Sequence, residues 1–372
     1  MQSAAATPVR PKPETVFLPG QDGDGAPVFS VLLKRSYALK ADGSLARAEA
    51  DAPLRKIDEY WDKGDPETAT VKFEADLAPF KERTDLVFVG KAYAPGGKPV
   101  AVLDAGIQVD GSGRKLIRVF GDRQCAFRQG LPPVFSEPKA FTEMEIRYEN
   151  AYGGKDELSL PDMPLFYPRN PMGKGLAVKN LREIVHGLAL PNLEDPEDLL
   201  TPERLILDQP EGWRLQPMPQ GLGWYPRTCY PRSFFAGSIP PFLLPEALTK
   251  EEHLGLVPKN HIALARSLKL PAFHPRFNNG ASPGLALPRL SGGETVRLRN
   301  LTPESLLQFT LPVERPSVSI DMGLGRKSPE AVLDTVCIRG EDMQVDLVWR
   351  ASVGYPGIDW LPEMAKLEVD VA

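Results

Sequence analysis

The chain contains few of the residues that most often carry catalysis or bind metals. Its 372 residues include three cysteines and four histidines. Cys125, Cys229 and Cys337 are widely separated, and no pair has the Cys-x-x-Cys spacing of a zinc or redox motif. An odd number of isolated cysteines favours free thiols in a reducing compartment. We therefore expect no disulfide framework.

The histidines also argue against a metal centre. No two of them have the i, i+4 spacing that lets one helix face hold zinc; they are His186, His253, His261 and His274. Glu143 and Glu145 would share one face of a strand, but neighbouring surface carboxylates lack the two different environments that acid–base catalysis needs. We expect no metal and no cofactor.

The sequence has neither an excess of positive charge nor a long apolar run. Lys and Arg number 44 and Asp and Glu 49, for a net charge of −5. This balance does not favour a nucleic-acid-binding protein, which needs a concentrated basic surface. No uninterrupted apolar run is long enough to span a bilayer. Residues 1–8 lack the basic and apolar regions of a secretory signal, so we expect a cytoplasmic protein without membrane contact.

Proline and glycine, by contrast, are abundant, with 39 and 32 residues. Proline is excluded from helix interiors and central strands, so much of the chain must form turns, edges and ordered connections. Apolar runs between turn residues predict antiparallel strands; they lie at 28–39, 85–94, 100–109, 114–120, 141–149, 296–299, 307–311, 332–339 and 343–350. We predict a mainly β fold of antiparallel sheets, sandwich or barrel-like, with a turn-rich central section and a few short helices.

The same pattern of strands and turns predicts how the chain is organised. Residues 1–14 form a flexible N-terminal tail, 15–350 a β-rich domain with an alternative division into two lobes near 240–290, and 351–372 a C-terminal extension. The acidic stretch 49–67 is interpreted as a surface connection. Short helices are predicted to start at Thr201, where Pro202 takes the first helical position, and to span Pro245 to Leu254.

One stretch resembles a catalytic motif without its context. Gly280–Gly284 matches the G-x-S-x-G nucleophile elbow of hydrolases, with Ser282 at the serine position. The elbow needs a helix after the serine and a histidine later in the chain. Pro283 interrupts that helix, and no histidine follows His274. We interpret the stretch as a turn. Two glycine-rich segments, 96–98 and 171–175, also fail to match the Walker A motif of phosphate-binding loops.

Six segments, taken in order and spacing over residues 28–230, resemble the bacterial family catalogued as domain of unknown function 2169: residues 84–99 (TDLVFVGKAYAPGGKP), 119–123 (VFGDR), 146–154 (IRYENAYGG), 169–175 (RNPMGKG), 190–194 (LPNLE) and 223–227 (GWYPR). The resemblance implies a non-enzymatic adaptor or chaperone in type VI secretion. Such a protein binds a secreted effector and helps load it on the spike, through a PAAR-type tip or the valine-glycine-repeat spike protein. It implies no catalytic residue.

Rigid exposed loops on a β scaffold suit recognition of a partner. We therefore predict that the loops at 84–99, 147–175 and 224–235 bind the partner, through Tyr93, Pro95, Tyr148, Glu149, Tyr152, Asn170, Trp224, Tyr225, Arg227, Phe234 and Phe235. Two alternatives stay open. One is a hydrolase or ligand-binding enzyme with an unrecognised site, for which replacing Ser282 is a direct check, and the other is a structural accessory of the secretion apparatus.

Overall fold

The computed structural model describes residues 14–127, 131–156, 165–178, 185–207, 210–236, 273–321, 325–355 and 368–371. Within these ranges the fold is built almost entirely from strands. In chain order they are β1 Thr15–Gln21, β2 Pro27–Leu39, β3 Leu45–Arg47, β4 Glu59–Tyr60, β5 Val71–Phe73, β6 Thr84–Val89, β7 Lys91–Tyr93, β8 Val102–Val109, β9 Gly113–Phe120, β10 Cys125–Ala126, β11 Val134–Phe135, β12 Glu143–Glu145, β13 Tyr152–Gly153, β14 Lys155–Asp156, β15 Leu165–Phe166, β16 Lys174–Gly175, β17 Leu193–Glu194, β18 Ala286–Leu287, β19 Thr295–Arg299, β20 Leu306–Thr310, β21 Val318–Asp321, β22 Arg326–Lys327, β23 Val332–Arg339, β24 Gln344–Gly354 and β25 Glu368–Val371.

Helical structure in these ranges is limited to short segments, mostly of the 3₁₀ type. The 3₁₀ segments are Trp61–Lys63, Pro95–Gly97, Tyr148–Asn150, Pro202–Arg204, Pro210–Leu215, Arg232–Ala236 and Pro275–Asn278. The turn at Pro202 confirms the short helix predicted after Thr201, whereas the helix predicted over 245–254 lies outside the described residues. Among the residues described, no helix has both the length and the apolar character needed to cross a membrane.

The main sheet has seven strands in the order β1-β2-β24-β23-β6-β18, with β3 also paired to β2. The predicted hairpins are confirmed, since β23 pairs antiparallel with β24 and β8 pairs antiparallel with β9. One central pair differs from the antiparallel prediction, because β6 and β23 run parallel. Parallel neighbours need a crossover connection, and here the chain builds most of the second sheet between them.

The second sheet has the order β17-β9-β8-β19-β20 and shares one hydrophobic core with the main sheet. Alternate residues of β2 face this core, among them Phe29, Val31 and Leu33. From the other sheet Ile107 and Leu298 contribute. Fully burying such side chains stabilises the fold by about 1.5–3 kcal/mol each. Both sheets are open at their edges, and the mainly β class predicted from the sequence is confirmed.

The opposite face of the main sheet is polar and also buried. From β2 it receives Ser30, Lys34 and Ser36, all at most 2% exposed. The chain between β3 and β6 covers this face and supplies Asp76, the carboxylate that neutralises Lys34. The buried ion pairs are Lys34–Asp76 at 2.6 Å, Lys81–Asp85 at 2.7 Å and Arg350–Asp334 at 2.7 Å. Buried charges of this kind are tolerated only when they are paired and hydrogen-bonded.

Two sequence predictions in this region need correction. The stretch 49–67 is not only a surface connection, because Leu54 and Trp61 are buried at 4% and 7% exposure. The strand predicted over 141–149 is reduced to β12 and gives way to a 3₁₀ turn at Tyr148–Asn150. The Asn150 side chain donates to the carbonyl of Glu145 at 3.0 Å, and such a bond competes with continued strand pairing.

The turn-rich central section forms a second core of its own. Its rings make edge-to-face contacts in series, with centroid distances of 5.0–6.2 Å, through Tyr152, Tyr167, Trp213, Tyr230 and Phe234. Arg169 is fully buried beside this series, with its guanidinium 4.8 Å from the Trp213 ring. At the C-terminal end, β25 pairs with β21 in a small three-stranded sheet.

Candidate partner-binding site

Three of the six segments that carry the family resemblance meet at one point of the structure: 146–154, 169–175 and 223–227. The rings of Tyr148 and Tyr225 contact edge to face at 5.2 Å. The Asn170 side chain donates to the carbonyl of Tyr148 at 2.7 Å. Tyr225 Oη lies 2.6 Å from the carbonyl oxygens of both Arg169 and Tyr230. These bonds hold the loops in fixed relative positions, and burial raises the pKa of both tyrosine hydroxyls, which keeps them neutral.

A close backbone approach beside these tyrosines requires glycine. Gly153 has φ of +151°, and a Cβ atom there would lie 2.0 Å from the carbonyl oxygen of Asn170. No side chain fits at that distance, so the sequence Tyr-Gly-Gly is needed for the loops to meet.

The turn that contains Ser282 packs against the same point. Ser282 is fully buried, its hydroxyl lies 2.6 Å from Tyr148 Oη, and it also donates to the carbonyl of Gly223 at 2.9 Å. The Asp85 carboxylate accepts hydrogen bonds from the backbone amide of Gly280 at 3.0 Å and from that of Ala281 at 3.3 Å. These contacts fix the turn and direct the serine hydroxyl into the interior.

On the outer side of this turn a cavity of about 320 Å³ opens between the turn, the β8–β9 connection at Ser112 and two 3₁₀ segments. We call it the arginine pocket. Its described lining is Arg83, Ser112, Tyr225, Pro231, Arg232, Phe235, Arg276, Asn279, Ala281, Pro283, Gly284, Ala286, Leu287 and Pro288. Ser282 itself does not line the pocket, although both its neighbours do. Three arginines and no carboxylate stand in a wall that is otherwise mostly apolar.

Arg232 holds the pocket together, because Nε, Nη1 and Nη2 of its guanidinium all donate hydrogen bonds within the protein. Nε donates to the carbonyl of Phe277 at 2.9 Å, Nη1 to the carbonyl of Tyr225 at 2.7 Å, and Nη2 to the Glu74 carboxylate at 3.0 Å. Glu74 also accepts from Arg227, so it is shared between two cations. Arg232 therefore joins the two 3₁₀ segments and gives the pocket a fixed floor.

The other two arginines are less constrained. Arg276 pairs with Glu82 at 3.4 Å, and both side chains are partly exposed. Arg83 directly precedes β6, and its only hydrogen bond from the guanidinium is a long one, 3.4 Å to the carbonyl of Ala286. In the described part of the chain no carboxylate lies within ion-pair distance of Arg83. Its guanidinium thus keeps unused donors at the pocket.

Aromatic side chains form one side of the pocket. Phe235 packs beside the His274 ring at a centroid distance of 5.5 Å. Phe273, next to His274 in the chain, is 60% exposed and contacts Phe277 edge to face at 5.8 Å. An exposed phenylalanine beside an apolar cavity is the combination that protein interfaces favour.

A lysine lies behind the pocket wall. Lys115 of β9 is 8% exposed, and its Nζ donates to the carbonyl of Pro283 at 2.6 Å. Burial lowers the pKa of Lys115 to about 7, and the charge of Asp195 opposes this only partly. Elsewhere, no group of three or more His, Cys, Asp or Glu side chains in the described ranges has an arrangement that would hold a metal ion.

The structure brings together part of the predicted partner-binding set and separates the rest. Tyr225 and Phe235 line the pocket. Five others are buried in the interior: Tyr148, Tyr152, Asn170, Trp224 and Phe234. Solvent reaches the remaining four, which are Tyr93, Pro95, Glu149 and Arg227. Sequence reasoning did not find Arg83, Phe273 or Arg276, because no local pattern connects residues that distant in the chain.

Comparison with known proteins gives one match. A family model described as "Uncharacterized protein conserved in bacteria (DUF2169)" matches residues 24–350. No curated protein and no solved structure matches the chain. The matched range contains the second sheet, the main sheet except β1 and the end of β24, the central section and the whole described lining of the pocket.

Proposed function

The chain belongs to the bacterial family DUF2169, and from that premise we propose that it is a non-enzymatic, cytoplasmic adaptor for type VI secretion. In this role it binds a secreted effector and helps load it on the spike, at a PAAR-type tip or at the valine-glycine-repeat spike protein. The secretion role is the one that the resemblance of its motifs implies. Binding a partner requires an exposed, preformed surface and no reactive group.

The arginine pocket is the observation that carries the proposal. Interfaces bind through aromatic and arginine side chains in preformed pockets. This pocket has Phe235, Tyr225 and Arg83 in its lining, and the exposed Phe273 packs on Phe277, next in the chain to the lining residue Arg276. Its floor is fixed by Arg232 and by the Ser282 turn. A rigid site of this kind loses little conformational entropy when a partner binds.

The position of Ser282 supports the non-enzymatic part of the proposal. A serine nucleophile must present its hydroxyl to substrate with a base within hydrogen-bond distance. Here the hydroxyl is buried and is occupied by Tyr148 and the carbonyl of Gly223. Its contacts are those of a residue that stabilises a turn.

The test is a tagged pull-down from bacterial cytosol in which the secretion genes are expressed, followed by mass spectrometry. The wild type is compared with Arg83→Glu/Phe273→Ser, which reverses one pocket charge and removes the exposed aromatic ring. Arg299→Glu is the matched control, because Arg299 is an exposed arginine outside the pocket lining. We expect a toxin-like protein at stoichiometric level with the wild type and the control, and its loss with the pocket variant.

Secretion provides the second readout. In a strain lacking this gene, the co-purified effector should stay in the cells, and the wild type and Arg299→Glu should restore its export. Sheath or baseplate proteins captured without an effector would contradict the proposal and favour a structural accessory. A bait that captures no partner would refute it.

A further inference from the structure

Among the described residues, Arg83 is the arginine of the pocket with no carboxylate within ion-pair distance. The other two lining arginines have carboxylate partners, Arg232 in Glu74 and Arg276 in Glu82. Arg83 has only the 3.4 Å bond to the carbonyl of Ala286. Removing a cation from water is unfavourable unless it is paired. A half-buried guanidinium without a carboxylate therefore favours an anionic ligand.

The backbone holds Arg83 in position for such a ligand. Its carbonyl accepts from Asn279 Nδ2 at 3.0 Å, and Asn279 itself lines the pocket. The next residue, Thr84, begins the buried strand β6. Because the main chain is fixed on both sides, only the side chain has to adjust when a ligand binds. A guanidinium can bind a carboxylate through two parallel hydrogen bonds, which are among the strongest that proteins make.

The pocket is suited to one apolar side chain more than to a free anion. Its volume of about 320 Å³ is at the lower end of the range for ligand sites, roughly 300–1,000 Å³. Leu287, Pro288 and Phe235 provide apolar contact inside it. The exposed Phe273 contacts Phe277, which follows the lining residue Arg276 in the chain. A carboxylate alone would leave these walls in contact with water.

We infer that the arginine pocket binds an extended, acidic segment of a protein partner, with one apolar side chain in the cavity and a neighbouring carboxylate on Arg83. The partner's identity as a secretion effector rests on the proposed function, whereas the binding chemistry rests on the pocket. The attraction is local to the pocket, because the net charge of −5 repels an acidic segment elsewhere and the lining offers three arginines and no carboxylate.

The inference is tested with a defined probe, the fluorescein-labelled peptide EDFDE, by fluorescence polarisation on the full chain. The wild type should bind EDFDE and should bind EDSDE and KKFKK much more weakly. Arg83→Gln should weaken EDFDE binding by about tenfold or more, which corresponds to about 1.4 kcal/mol. Arg299→Gln should leave it unchanged, and binding should weaken as salt is raised.

The outcomes separate this inference from the proposed function. Equal binding of EDFDE and EDSDE, or equal binding by wild type and Arg83→Gln, would show general charge attraction and overturn the inference. Absence of EDFDE binding in a protein that still captures an effector in the pull-down would also overturn it and leave the adaptor role standing. Thermal unfolding of each variant confirms that a loss of binding is not a loss of fold.

Discussion

Replacing Lys115 by methionine should make the stability of the protein less dependent on pH. Burial lowers the pKa of Lys115 from 10.5 to about 7. Below pH 7 both the folded and the unfolded chain carry the ammonium, and the folded state bears the full penalty of burying it. Between pH 7 and 10.5 the folded chain releases this proton and the unfolded chain keeps it. The wild type therefore gains stability as pH rises through this window.

The size of the effect follows from the pKa difference. Each pKa unit is about 1.4 kcal/mol, so a pKa of about 7 in place of 10.5 implies a penalty of roughly 5 kcal/mol below pH 7. Between pH 6 and pH 9 the wild type should recover roughly 2–3 kcal/mol of it. Lys115→Met removes the titrating group and also the hydrogen bond to Pro283, worth about 1 kcal/mol at any pH.

The assay is urea denaturation followed by tryptophan fluorescence at pH 6, 7.5 and 9, at constant ionic strength. The free energy of unfolding of Lys115→Met minus that of the wild type should be largest at pH 6 and should shrink as pH rises. Lys98→Met is the control, because Lys98 is exposed, and its difference from the wild type should be constant. If the difference in free energy of unfolding between Lys115→Met and the wild type were also constant from pH 6 to pH 9, the claim that burial lowers the pKa of Lys115 would be refuted.

Three further predictions concern the interior. Gly153→Ala should lower the free energy of unfolding by roughly 3 kcal/mol or more, because the new Cβ would clash with the Asn170 carbonyl. The control is Gly111→Ala, where φ is positive but no atom lies near the new Cβ, and it should lower the free energy of unfolding by only about 1–2 kcal/mol in the same denaturation assay. Asp76→Asn should lower it by roughly 3–5 kcal/mol, since it leaves the Lys34 ammonium buried without its counter-ion. Burial raises the pKa of Cys229 to about 12, so iodoacetamide at pH 8 should not alkylate this thiol in the folded protein and should do so after denaturation, as read by mass spectrometry.

The long strands were predictable from sequence because their apolar runs end at turn residues. The hairpin of β23 and β24 and that of β8 and β9 follow this rule. The burial of the polar face did not follow from it. Ser30, Lys34 and Ser36 alternate with apolar residues in β2, a pattern typical of a sheet with one solvated face. The covering chain is held by Asp76, and nothing in a local pattern identifies that carboxylate as the partner of Lys34.

The candidate site was predictable only in part, for a similar reason. The segment 224–235 was singled out for its aromatic residues, and Tyr225 and Phe235 do line the pocket. The same aromatic character also marks core residues, which is why Phe234 lies in the second core. Arg83 and Arg276 lie far apart in the sequence, and only the tertiary structure places them at one cavity.

The pairing of β2 with β24 has a consequence for how the chain is made. Phe29 of β2 is opposite Val353 of β24 in the register. The edge of β2 that pairs with β24 therefore stays unpaired until nearly the whole chain has left the ribosome. At about 5–20 residues per second this interval is on the order of tens of seconds. During it a thirteen-residue strand presents an unpaired edge, the state most prone to aggregation. A chain that terminates before β24 thus loses the centre of its main sheet rather than a terminal segment.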